Sequence, residues 1–188
     1  MTNLQKQIQF IIEIDQLKTV LRKTCLFNSL RHENDAEHSW HLAMMAMVLA
    51  EHANERIDIS KVIKMLLIHD IVEIDAGDTF LFDTNKSHDN TEEELKAAKR
   101  IFGILPREQD ESLTALWLEF ENAETAEAKF AKAIDRLAPM MQNASNGGGT
   151  WREFDVTKEQ VIEKKKSINE GSEELWAYAQ KLMADFYS

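Results

Sequence analysis

Residues 58–78 read DISKVIKMLLIHDIVEIDAGD. Asp58 and Ser60 are residue types that cap a helix N-terminus, and Gly77 is the type that ends one. Apolar residues dominate between them, so the stretch predicts a core helix. Two residues break the pattern. His69 and Asp70 stand side by side inside the apolar run, with Glu73, Asp75 and Asp78 close behind. Burying a charge without a partner is costly, so a metal ion, a salt-bridge network or water must compensate for these groups.

Helix punctuation recurs along the chain. In NDAEHSWHLAMMAMVLAEHA (34–53), Asn34 and Glu37 stand in capping-box relation. Trp40, Ala43, Met44, Met47 and Val48 then recur at helical spacing and mark an expected core face. TEEELKAAKRIFG (91–103) pairs Thr91 with Glu94 in the same relation, and PREQDESLTALWLEFENA (106–123) opens on Pro106, tolerated in a first turn. TAEAKFAKAIDRLAPMMQNAS (125–145) contains Pro139, expected to kink or end its helix. TKEQVIEKKKSIN (157–169) and SEELWAYAQKLMADFYS (172–188) close the chain. No long stretch alternates with period two, so the expected fold is an all-α bundle of about six to eight helices. The expected organisation is one domain over residues 1–188, C-terminal helices included. NASNGGGTWREFD (143–155) lacks the GK[ST] ending of a phosphate loop and reads as a flexible connection.

The formal net charge of −11 argues against a nucleic-acid polymer as partner, because such binding needs Lys and Arg to neutralise phosphates. A small phosphate ester in a local pocket remains compatible with it. Cys25 is the one cysteine, so no intrachain disulfide forms and a reducing compartment fits. MTNLQKQIQF lacks the pattern of a signal peptide, and no apolar run approaches the roughly 20 residues of a membrane span. The expectation is a cytoplasmic protein with no membrane partner.

The histidines are His32, His38, His41, His52, His69 and His88. Taken singly, the polar groups have plain readings. A lone histidine on a half-apolar face is usually a hydrogen-bonded core residue, and Asp135 could pair with its neighbour Arg136. Met44, Met45 and Met47 read as core packing, Glu92 to Glu94 as an acidic helix start, and Lys164 to Lys166 as a solvated face. Taken together, His38, His69, Asp70 and Asp135 lie on three expected helices and near core-facing sides. Two imidazoles and two carboxylates suit one Mn, Co, Fe or Zn ion, whereas Mg prefers oxygen alone. His69 and Glu73 are four apart and share a helix face, which brings Glu73 within reach of such an ion's ligands. Arg31, ahead of the first of these helices, is the expected phosphate clamp, since guanidinium binds phosphate bidentately.

In chain order these residues spell H…HD…D, and the sequence resembles the HD-domain metal-dependent phosphohydrolases. ENDAEHSWHLAMMAMVLAEHA, LLIHDIVEIDAGD and AEAKFAKAIDRL are similar to the branch that includes bacterial 5′-deoxynucleotidases, over about residues 15–185. The resemblance implies that His38, His69, Asp70 and Asp135 hold one divalent ion. It implies that Glu73, in HDIVE, is the general acid/base. Asp78, in AGD, would organise substrate or a second, weaker ion. The implied activity is a phosphomonoesterase on (deoxy)nucleoside 5′-monophosphates. Alternatives are hydrolysis of a cyclic or pyrophosphorylated nucleotide, or a sensor that binds metal and nucleotide without turnover. CLFNSLR (25–31) and TFLFDTNKSHDN (79–90) depart from the branch and would line the substrate pocket, so the metal chemistry carries over better than the substrate. Relatives are often dimers, and Trp176, Tyr178, Phe186 and Tyr187 could supply a homodimer interface or core. The paired Glu-x-x-His of di-iron bundles and the HExxH of metalloproteases are absent.

Overall fold

A computed structural model describes residues 1–82 and 91–188. His88 and the loop 83–90, a candidate cover for the site, lie outside the described residues. The chain opens with α1 (Asn3–Glu13) and a 3₁₀ turn (Ile14–Thr19). An antiparallel pair follows, β1 (Leu21–Cys25) and β2 (His32–Asn34), with Leu21 opposite Asn34 and Cys25 opposite His32. Then come α2 (Asp35–Leu49), α3 (Ile59–Ile68), the single turn α4 (Glu73–Ala76), α5 (Thr91–Phe102) and α6 (Arg107–Asn122). The chain ends with α7 (Ala126–Ser145), α8 (Gly149–Glu153), α9 (Lys158–Lys165), α10 (Ile168–Gly171) and α11 (Glu173–Phe186). Among the described residues the fold is all-α with one small strand pair.

α7 is the axis of the bundle. Its Phe130, Ile134 and Leu137 pack with Leu42 of α2, Val62 and Leu66 of α3, and Ala179 and Met183 of α11. Its Ala131, Ala133 and Ala138 are fully buried, and such small side chains let neighbouring helices approach closely. A second cluster joins Phe10, Ile68, Ile71, Ile101, Phe102 and Trp117. Burying each large side chain contributes about 1.5–3 kcal/mol. The His69–Asp70 dipeptide falls on the seam, because Ile68 and Ile71 belong to the second cluster while Leu66 belongs to the first.

Four local expectations change. Most of the apolar stripe of α2 faces outward: Trp40 is 63% and Val48 69% exposed, with Met44 and Met47 also exposed, while Ala43 of that stripe is buried together with Asp35, His38, Ser39, Leu42, Met45 and Ala46. The inward face is the one whose polar groups find partners, and that outweighs the apolar count on the other. The helix from Asp58 does not run to Gly77. The Leu66 carbonyl accepts from His69 Nδ1 at 2.9 Å, and the backbone tightens through Ile71 N–H to Ile68 O (3.2 Å) and Glu73 N–H to Asp70 O (2.9 Å). α7 does not end at Pro139 but continues to Ser145, although the proline withdraws the N–H that would bond the Asp135 carbonyl one turn earlier. The GGG stretch is a built turn. Gly149 has φ +44°, and a Cβ there would sit 2.4 Å from Asn143 Oδ1, which accepts from the Thr150 N–H at 3.0 Å.

Lys164 to Lys166 do not form one solvated face. Lys164 and Lys166 are exposed, but Lys165 is buried. Among the C-terminal aromatics, Phe186 and Tyr187 pack on Trp151 at centroid distances of 5.5 and 5.9 Å, and the Tyr187 hydroxyl donates to Val156 O at 2.7 Å. Those two rings are largely committed to the core, whereas Tyr178 remains 44% exposed.

Candidate metal centre

The start of α2 is locked by its capping box. Asn34 Oδ1 accepts from Glu37 N–H at 2.9 Å, and Glu37 Oε2 accepts from Asn34 N–H at 3.2 Å. One turn later His38 points inward, fully buried. Its Nδ1 lies 3.1 Å from Glu33 Oε2 and its Nε2 3.1 Å from Asp135 Oδ1. His69 Nε2 lies 3.0 Å from Asp70 Oδ1 and 3.7 Å from Asp135 Oδ1. The two imidazole centroids are 5.8 Å apart. The structure therefore brings His38, His69, Asp70 and Asp135 together. Ligand atoms of His38, His69 and Asp135 all fall within 4.8 Å of one another. Arg136 does not pair with Asp135; its guanidinium donates to Lys164 O and the Ser167 hydroxyl.

These residues fit a divalent cation for a reason visible in their hydrogen bonds. Each Nδ1–H has an acceptor, Glu33 for His38 and the Leu66 carbonyl for His69. That leaves Nε2, turned toward the carboxylates, as the atom whose lone pair is offered when the ring is neutral. His69 Nε2 is buried and makes no hydrogen bond among the described residues. A lone pair so placed, between two carboxylates, is the donor set of a mixed N/O metal site. Glu33 is itself held, accepting from Gln142 Nε2 at 3.0 Å. Gln142 lies two turns after Asp135 on the same face of α7. Trp117 Nε1 donates to the His69 carbonyl at 3.2 Å and pins the broken turn.

A second acidic group adjoins the first. Ligand atoms of Asp35, Glu73 and Asp78 fall within 4.8 Å of one another. Arg22 of β1 sits between the groups, donating from one nitrogen to Asp35 Oδ1 (3.0 Å) and Asp70 Oδ2 (2.9 Å), and lying 3.8 Å from Asp78. Burial lowers the Arg22 pKa, but Asp70, Asp78 and Asp35 outweigh it and hold the pKa well above the ordinary value. Burial and the neighbouring charges of Asp70 and Asp35 push Glu73 well above the usual carboxylate range. Burial likewise raises Asp35 to about 6, assisted by Asp70. Two facing buried carboxyls share a proton under these conditions, and Glu73 is the one that keeps it. Burial disfavours the ionised Asp70 and the charged His69, yet each favours the other's charge; Asp70 falls to about 2 and His69 rises to about 10. Asp78 is pushed up by burial against the pull of Arg22.

Arg31 is not brought to this cluster. It forms a two-point ion pair with Glu37 at 3.0 Å on each arm, because the capping-box glutamate lies within reach on the exposed surface. The guanidinium at the site is Arg22. Arg22, Glu33, Asp35 and Gln142 are absent from the motif reading. The signal for Asp35 and Glu33 lies in their place beside the Asn34 cap, and for Gln142 in its seven-residue spacing from Asp135. Arg22 has no signal in the sequence, since its strand pairs only through a turn with Asn28 at φ +51°.

A small cleft of about 70 Å³ opens beside the cluster. Arg22, Thr24, Asp78, Phe80, Trp151 and Lys165 are among its walls.

Comparison with known proteins agrees with this arrangement. The HD domain family matches residues 14–176, from the 3₁₀ turn into α11. The chain belongs to the HD-domain family. The HD-domain match contains every residue of both carboxylate groups. A solved structure from Magnetospirillum magnetotacticum, described as a predicted metal-dependent phosphohydrolase, is 51% identical with a TM-score of 0.94, covering 98% of this chain and 93% of that one. The 5′-deoxynucleotidase HDDC2 of Homo sapiens is 31% identical over 136 residues, 72% of this chain and 65% of the human protein. The HDDC2 of Danio rerio is 26% identical, covering 89% of this chain and 88% of that protein. A protein from Pyrococcus furiosus shares the fold at 23% identity, with a TM-score of 0.63. The HD-domain chain thus matches just under two thirds of the human relative's length.

Proposed function

We propose that this HD-domain protein is a divalent-metal-dependent phosphohydrolase acting on (deoxy)nucleoside 5′-monophosphates. The observation that carries the proposal is the convergence of two Nε2 lone pairs on Asp70 and Asp135, with both Nδ1 protons already committed. The activity stated for HDDC2 relatives supports the substrate class. His38, His69, Asp70 and Asp135 hold the cation, and the nitrogen donors favour Mn, Co, Fe or Zn over Mg. When bound, the cation supplies Lewis-acid activation of water and of a phosphoryl oxygen. Burial, Asp70 and Asp35 oppose the ionisation of Glu73 and push it well above the usual carboxylate range, which favours its protonated form. It is therefore placed to protonate the leaving 5′ oxygen. Asp78 fixes Arg22 and the edge of the cleft, and with Glu73 and Asp35 offers oxygen ligands for a second, weaker ion. Arg22, rather than Arg31, is the guanidinium in reach of a bound phosphate.

The chain works as one domain over residues 1–188, with α11 packed into the same core as the ligand-bearing helices. A cytoplasmic location suits the single cysteine and the absence, among the described residues, of a helix long and apolar enough to cross a membrane. A homodimer belongs to the same proposal, and the exposed apolar face of α2 (Trp40, Met44, Met47, Val48) is one surface available for it. Sedimentation velocity of wild type and Trp40→Glu tests that point.

The activity is tested by phosphate release from a panel of nucleoside monophosphates with Mn²⁺, Co²⁺, Mg²⁺ or chelator. Wild type is compared with Glu73→Ala and Asp70→Ala. Metal-dependent release that both variants lose is the expected result. A protein that holds stoichiometric metal yet releases phosphate from no monophosphate refutes the nucleotidase assignment.

A further inference from the structure

Lys165 is the last residue of α9 and only 6% exposed. It lines the cleft together with Arg22 and Asp78, the two residues that also border the carboxylate cluster. Lysines are almost never buried unless paired. Yet among the described residues Lys165 makes no hydrogen bond or ion pair. The charges that bear on it are Asp135, which favours its ammonium form, and Arg136 and Arg22, which oppose it. Asp135 is already engaged by His38 and His69. Burial outweighs Asp135 and pulls the Lys165 pKa down to about 7.

Two other cations border the cleft: Lys23, which is exposed, and Arg22, whose charge is shared among acids although its Nε has no hydrogen-bond partner among the described residues. Arg22 donates to Asp35 and Asp70 and has Asp78 and Glu33 as further neighbours at 3.8 and 3.9 Å. A phosphomonoester brings nearly two negative charges and three strong acceptor oxygens. It must enter a cleft with Asp78 in its wall, beside a cluster that holds Glu33, Asp35, Asp70, Glu73 and Asp135. Repulsion from those acids has to be offset by a cation that is not already neutralised, and the Lys165 ammonium, at the cleft wall with no hydrogen-bond partner among the described residues, supplies it.

We infer that Lys165 is a phosphate-binding residue, its Nζ donating to a non-bridging oxygen of the substrate's phosphate from the cleft side. This rests on the phosphohydrolase reading above, and it adds a recognition residue from a helix outside the H…HD…D motif. It also explains why a cation is kept at a position where an apolar side chain would pack at less cost.

The test uses inorganic phosphate, so that it is independent of turnover. Phosphate is titrated calorimetrically into the full-length, Mn²⁺-loaded protein. Wild type is compared with Lys165→Met, Lys165→Gln and the exposed neighbour Lys164→Met, with metal content and circular dichroism as controls. Loss of a hydrogen bond to a charged group should raise the phosphate Kd about tenfold or more in both Lys165 variants, with Mn²⁺ stoichiometry unchanged. Lys164→Met should bind as wild type does. The inference is overturned if the Lys165 variants keep the wild-type Kd, if Lys164→Met weakens binding equally, or if wild type binds no phosphate at millimolar concentration. A wild type that binds phosphate through Lys165 but hydrolyses no nucleotide would sink only the nucleotidase assignment.

Discussion

A cation kept for binding should be a liability to the fold, and Lys165 allows that to be measured. The perturbation is Lys165→Met, which removes the charge and keeps the length and apolar stem of the side chain. In the folded protein Lys165 is held at about 7 against an ordinary 10.5. Between those two pH values the unfolded chain binds a proton that the folded chain does not, so stability rises with pH across the window. Below pH 7 the penalty is present in full; above 10.5 it vanishes. At about 1.4 kcal/mol for each tenfold change, its ceiling is about 5 kcal/mol. Relaxation and water entry reduce such penalties to a few kcal/mol, which for a chain of this size is about 5–10 °C in Tm. Thermal and urea unfolding in excess chelator, from pH 6 to 10, give the difference between variant and wild type. Lys165→Met should be the more stable protein at pH 6 to 7, and the gap should close as pH approaches 10. A variant that is destabilised at neutral pH, or a gap that does not change with pH, would show that Lys165 is a structural counter-ion for Asp135 and refute the reasoning.

Other consequences follow from the second layer of contacts. Glu33→Gln weakens the acceptor that fixes the His38 tautomer, and Mn²⁺ affinity should fall about 10- to 100-fold in competition with a chromogenic chelator. Trp117→Phe leaves the buried His69 carbonyl without its donor and should cost about 1–3 kcal/mol in urea unfolding, with Mn²⁺ affinity reduced as the turn loosens. In the metal-free protein His69 is held at about 10, above its ordinary 6.5, so the stability from its charged ring is full below pH 6.5 and lost as pH rises through 10. Metal must displace that proton, and apparent Mn²⁺ affinity should therefore strengthen by up to about tenfold per pH unit between pH 7 and 9. An affinity that is flat over that range would mean His69 Nε2 is not a ligand.

Much of this molecule was legible without coordinates. Capping boxes, apolar recurrence and the lack of period-two alternation predict helices, because those signals act within a few residues of chain. The four polar residues of the H…HD…D pattern stand out for a related reason: a histidine or carboxylate inside an apolar run needs compensation, and three such anomalies invite a common partner. What escaped were features decided by contacts between distant segments. Trp40 and Val48 lie outward although the pattern assigns them to the core, because the other face of α2 has Glu33 and Asp135 to meet His38. α3 breaks at His69 because the imidazole takes the Leu66 carbonyl, an exchange that helix propensity does not register. Arg31 and Arg22 have the same chemistry and both precede α2, but one finds the exposed Glu37 and the other is carried by β1 into a nest of buried acids. Lys165 lies in a run of three lysines that any local reading assigns to solvent, yet α9 buries Val161 in the core beside α7 and turns the middle lysine inward. Helices and metal-type residues follow from interactions along the chain, which the sequence by itself states. Which guanidinium, which lysine and which second-layer carboxylate reach the site depends on the folded distances between segments, and only tertiary structure decides those.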